Sequence, residues 1–128
     1  MNGTASPVTI RSLVPLAHVR NVRRSIAFYR LLGLEEGNRH TPEGQSEPVW
    51  AWLRSGDAQL MVAEAGERVD PEKQAVLFYV YCDDVSRFRE QLVLAGVEAG
   101  PIEHPFWAPR GEFRVVDPDG YVLMVTHT

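Results

Sequence analysis

The chain has 128 residues, a formal net charge of −4, 45% hydrophobic residues and 23% charged ones. That length supports one real core, and an acidic balance with scattered basic residues excludes nucleic acid or an anionic membrane as the expected partner. One cysteine, Cys82, excludes an internal disulfide, and with neither a leader-like start nor an apolar stretch of spanning length the expected location is cytoplasmic.

In chain order, residues 12–19 are an apolar, β-branched run read as a strand. Asn21 can cap a helix over 22–32, where apolar residues at 22, 26, 28, 29, 31 and 32 follow helical spacing and Gly33 closes the last turn. A strand over 34–38 and a polar loop over 39–48 follow. Residues 49–54 and 58–64 then form a hairpin across Ser55-Gly56-Asp57. The stretch 65–74 has linker composition, with Gly66, Asp70, Pro71 and Lys73. Beyond it come a strand over 76–82, a helix over 85–95 between Asp84 and Gly96, a strand over 97–102 and a loop over 103–110. Residues 111–116 and 121–126 make a last hairpin over Asp117-Pro118-Asp119-Gly120.

The order is written twice. A shift of 63 residues lays Val22 on Val85, Arg24 on Arg87, Gly33 on Gly96, Gly37 on Gly100, and Leu60-Met61-Val62 on Leu123-Met124-Val125. A constant offset means two copies of one supersecondary unit. The expected fold is α+β: two tandem βαβββ units, about 12–64 and 75–126, in a single domain spanning 1–128. A pseudo-twofold relates them, and their curved antiparallel sheets surround a central cleft. Side chains alternate along strands. The aliphatic set Ala17, Val19, Leu60, Val62, Phe78, Val80, Leu123 and Val125 is assigned to the helix side. The opposite parity lines the cleft with Val14, Leu16, His18, Trp50, Trp52, Gln59, Met61, Leu77, Tyr79, Tyr81, Phe113, Val115, Val122 and Met124. That set is aromatic with few polar handles, the character of a small-molecule site.

Three stretches stand out: residues 18–29 (HVRNVRRSIAFY) with Leu32-Gly33-Leu34, 81–85 (YCDDV) with Ala95-Gly96-Val97, and 112–120 (EFRVVDPDG) with Leu123. Through them the chain resembles the vicinal oxygen chelate superfamily, which includes glyoxalase I, extradiol dioxygenases and bleomycin-resistance proteins. The resemblance covers about residues 12–126. Enzymes of the superfamily bind a divalent metal through His, Glu or Gln on the first and last strands of each unit. Those positions carry over to Val14, Met61, Leu77 and Met124, none of which suits such an ion. The resemblance therefore implies a binding protein without metal or other cofactor, like the bleomycin-resistance members that hold drugs between aromatic rings in dimer crevices.

The expected ligand is a hydrophobic or aromatic small molecule, and the expected assembly a homodimer. The residues assigned to binding are His18, Trp50, Trp52, Met61, Tyr79, Tyr81, Phe106, Trp107, Phe113 and Met124, with Phe113 taken as the symmetry mate of Trp50. Phe106 and Trp107 sit in a loop that could close over the mouth. Core filling is the alternative for Trp50, Trp52, Met61 and Met124, and a structural role the alternative for His18. His40, His104 and His127 read as exposed. A second reading is a glyoxalase-type lyase or dioxygenase, working through a displaced metal site or through His18 with Tyr79 or Tyr81. A third is a partner-binding module that uses the Phe106–Trp107 loop.

Overall fold

The computed structural model describes residues 7–127. The first unit runs β1 (Leu16–Val19), α1 (Val22–Leu31), β2 (Glu35–His40), β3 (Trp50–Ser55) and β4 (Ala58–Glu64). After a short 3-10 turn at Pro71–Lys73 come β5 (Leu77–Tyr81), α2 (Val85–Leu94), β6 (Glu112–Val116) and β7 (Val122–Thr126). The strands form two mixed sheets, ordered β1-β4-β3-β2 and β5-β7-β6, with β1 parallel to β4 and β5 parallel to β7.

Both helices start as the sequence leads one to expect. The Asn21 carboxamide oxygen accepts from the Arg24 N–H at 2.9 Å, and the Asp84 carboxylate from the Arg87 N–H at 3.0 Å. Each cap satisfies one of the donors a helix start leaves open. Helix α1 buries Val22, Ser25, Ile26 and Tyr29, spaced three and four apart, and α2 buries Val85 and Leu92. These faces meet the aliphatic faces of the sheets in one continuous core that holds Ala17, Val19, Leu53, Leu60, Val62, Phe113, Val115, Leu123 and Val125.

The strand bounds move where proline or a side chain intervenes. Residues 12–14 stay outside β1, and Pro15, whose carbonyl takes the Met61 N–H at 2.9 Å, has no N–H to return to the ladder. Residues 97–102, expected as a strand, form none. The segment follows the free edge of β6 through Gly100 N–H to the Arg114 carbonyl and a two-bond bridge between Glu103 and Glu112, all at 2.9 Å. Pro101 removes a donor from the middle of it, and the Arg89 guanidinium of α2 takes the Ala99 and Gly100 carbonyls. Strand β2 runs further than expected and ends at His40, which joins the sheet opposite Trp50 rather than a loop.

The larger correction concerns β6. In the first hairpin Ala51 stands opposite Val62, and in the second Phe113 stands opposite Val125. The offset between copies is therefore 63 on the last strand and 62 on the strand before it. A one-residue slip exchanges the two faces of a strand. Phe113 and Val115, expected in the cleft, point into the core: Phe113 is 1% exposed and meets Phe88 of α2 edge to face at 6.4 Å. The residue equivalent to Trp50 is Glu112, and the one equivalent to Trp52 is Arg114.

The units are joined at one end. The β6–β7 turn delivers Asp117 to the Tyr29 hydroxyl of α1 at 2.6 Å and Asp119 to the Arg20 guanidinium at 2.9 Å. Tyr121 donates its hydroxyl to the His18 carbonyl at 3.0 Å.

Candidate functional site

Each sheet presents one face to the helices, and the faces that turn away from them carry the chemistry. Strand register arranges the first such face in rows. Leu16, Met61, Trp52 and Asn38 cross the sheet in one line, and His18, Ala63, Trp50 and His40 in the next. Trp50 and Trp52 are half-buried. Trp52 is held: its indole N–H donates to Gln59 Oε1 at 3.1 Å, and the Arg54 guanidinium lies 5.4 Å from the ring centroid. That contact is a cation–π geometry. His18 is exposed and borders a polar hollow of about 540 Å³ beside the linker, with Glu67, Arg68 and Lys73.

On the second face the rows are Leu77, Val122 and Val116; Tyr79, Met124 and Arg114; and Tyr81, Thr126 and Glu112. Tyr79 and Tyr81 stack with centroids 6.4 Å apart and planes inclined by 29°, and both are exposed. Glu112 is buried, and Trp107 reaches it with its indole N–H at 3.3 Å from Oε1. Trp107 packs edge to face on Phe106, centroids 5.0 Å apart. At the end of β5, burial pushes the Cys82 thiol above its ordinary pKa, which favours the protonated form.

An apolar groove of about 610 Å³ runs where the two units meet. Tyr79, Tyr81 and Leu77 form one wall, and Leu13, Pro15 and Gln59 belong to the other unit's side. The residues assigned from sequence therefore fall into separate places within one chain. Trp50, Trp52, Met61 and His18 share the first face; Tyr79, Tyr81 and Met124 share the second; Phe106 and Trp107 border the second face at Glu112; Phe113 belongs to the core. Glu112, Arg114, Asn38 and His40 share these faces but were not assigned to binding from the sequence. The alternation in Glu112-Phe113-Arg114-Val115 carried the signal for the first two.

The family model described as Glyoxalase/Bleomycin resistance protein/Dioxygenase superfamily matches residues 13–125. The chain belongs to this superfamily.

Among solved structures the superfamily likeness extends over almost the whole chain. A bleomycin-binding protein complexed with bleomycin superposes with a TM-score of 0.75 at 22% identity, covering 93% of this chain and 99% of that one. A bleomycin resistance determinant encoded on the transposon Tn5 gives 0.76 at 22% identity, with 93% and 98% covered. TnmS3, an antibiotic binding protein from Streptomyces sp. CB03234, gives 0.73 at 16% identity, with 95% and 98% covered. At these identities the likeness is one of fold. A search of curated protein sequences found no match.

The metal of the superfamily's enzymes does not fit the donor set here. Met61 has Leu16 as its neighbour across the ladder, and Met124 has Tyr79. Among the described residues no three His, Cys, Asp or Glu side chains converge, and thioethers beside aliphatic and phenolic groups are poor ligands for divalent zinc, iron or manganese. No helix among the described residues is long and apolar enough to cross a membrane.

Proposed function

We propose that this superfamily member binds a flat hydrophobic or aromatic small molecule on its aromatic faces, without a metal, and acts by sequestration or carriage. The observation that carries the reading is the chemistry of the faces turned away from the helices. Trp50, Trp52, Tyr79 and Tyr81 line them together with Met61 and Met124, and rings of both tyrosines are open to solvent. Each ring stacked on a ligand adds about 0.5–1.5 kcal/mol beyond burial of area, so several engaged together support micromolar affinity, about 8 kcal/mol. The binding and resistance proteins that share the fold support the same direction. The protein acts as a cytoplasmic homodimer in this reading, with a second copy covering apolar groups such as Leu16, Leu77 and Tyr79 that one chain leaves exposed. The free Cys82 suits a reducing compartment.

Intrinsic fluorescence during titration with bleomycin and other flat natural products, paired with elemental analysis of the purified protein, tests this. Saturable quenching that is lost in Trp50→Ala or Trp52→Ala, with no stoichiometric metal, is the expected result. One equivalent of zinc, iron, nickel or manganese overturns it and points to a lyase or dioxygenase.

A further inference from the structure

Glu112 and Asp119 each keep one buried carboxylate oxygen without a partner among the described residues, but Asp119 is paired with Arg20 through its other oxygen and Glu112 has no ion pair there. Its side chain lies on the β6 face shared with Tyr81 and Thr126, yet the residue is only 6% exposed. One carboxylate oxygen takes the Trp107 indole N–H. The other, Oε2, is buried and has no hydrogen-bond partner among the described residues. A buried carboxylate oxygen without a donor is costly, and folded proteins rarely leave one so. Arg114 follows two residues later on the same face but is exposed and makes no bond to it. The side-chain partner of the carboxylate is the Trp107 indole, 55% exposed and packed edge to face on Phe106.

We propose that Glu112 is a cation-recognition subsite, in which a protonated amine or guanidinium of the ligand enters beside Trp107 and supplies the donor that Oε2 lacks. This rests on the binding function proposed above and narrows the ligand class to cationic aromatics. A charged N–H gives a desolvated carboxylate its strongest hydrogen bond, and the Trp107 ring beside it favours a cation at its face. The overall charge of −4 draws cations toward the chain. Tyr81 and Glu112 sit on strands either side of β7, about 10 Å apart at a strand spacing near 4.8 Å. The matching ligand therefore carries its positive group on a short arm extending from the flat ring system.

The test is fluorescence polarisation with two probes of one shape, 1-pyrenebutylamine and 1-pyrenebutanol, on the wild-type protein, Glu112→Gln and Trp107→Ala. The amine is expected to bind the wild type about tenfold tighter than the alcohol, and Glu112→Gln to bring the two within about twofold while alcohol affinity holds. Trp107→Ala, which removes both the ring and the indole N–H beside the carboxylate, is expected to lower the amine-to-alcohol ratio by about threefold or more, and it carries the test if the Gln variant folds poorly. A preference that survives both substitutions reports the general negative field and overturns the proposal, as does the lack of any preference in the wild type. If neither probe binds, the small-molecule reading itself falls and takes this one with it.

Discussion

Tyr29 and Asp117 set the energetics where the two units meet. The phenol is 1% exposed and donates to Asp117 Oδ2, while Oδ1 accepts the Asp119 and Tyr121 N–H groups at 2.8 and 2.9 Å. Burial raises the Asp117 pKa above the usual carboxylate value, and the Tyr29 bond pulls it back down. A carboxyl group with a raised folded pKa binds its proton more tightly when folded. Its ionisation therefore costs stability as pH climbs from the ordinary value through the raised one, and the cost is constant beyond. In Tyr29→Phe that window extends to higher pH, because the bond that favours the anion is gone. The variant is expected to lose about 1.5–3 kcal/mol at pH 7, the worth of a hydrogen bond to a charged group, and less near pH 4. Urea unfolding at the two pH values measures both; a penalty equal at the two would show that Asp117 does not ionise under the phenol.

The hairpins show at the level of elements how a turn constrains its neighbours. Gly120 closes the Asp117-Pro118-Asp119 turn with a φ of +87°, and a Cβ there would run into the Pro71 carbonyl of the linker. Gly120→Ala carries both the left-handed backbone penalty and a collision with rigid main chain. It is expected to cost about 1–3 kcal/mol, read as a lower midpoint in thermal unfolding. Gly33→Ala, at a φ of +99° with open space around it, tests the backbone penalty alone and should cost less. Caps, helices and most strands were legible in the sequence because Asn21, Asp84 and the apolar spacing act locally. The aliphatic side of β1, β4, β5 and β7 was legible too, since alternation decides it. The repeat misplaces Phe113 because the matches at Gly37 and Leu60 flank a stretch that is one residue shorter before β6 and one residue longer in the β6–β7 turn. The segment 97–102 reads as a strand until Arg89, distant in sequence, takes its carbonyls. How the two outward faces meet was not legible at all, since no local pattern states how two sheets sit side by side.

At the scale of the whole molecule, the two units share a core and are clamped by charge at one end. Asp119 is fully buried and meets Arg20 at 2.9 Å and Arg24 at 3.7 Å; Arg20 also bonds the Pro118 carbonyl. The Arg20 side chain is 45% exposed, so water screens part of the attraction. Removing one partner of a fully buried pair costs about 3–5 kcal/mol; here, with Arg24 left nearby, Arg20→Ala is expected to cost about 1–3 kcal/mol. Denaturant unfolding followed by Trp fluorescence measures this. A change below about 0.5 kcal/mol, the scale of an ordinary surface substitution, would show that Arg24 carries the clamp alone.

The change of offset from 63 to 62 also bears on how such a protein diversifies. One residue fewer before β6 and one more in the β6–β7 turn re-deal every outward side chain of that strand in one copy while β7 keeps its place in the repeat. Tryptophans face outward from one copy at the positions where the other presents Glu112 and Arg114. Two compensating one-residue changes thus achieve what several point substitutions would otherwise require, and the two copies of one unit come to present unlike outward faces.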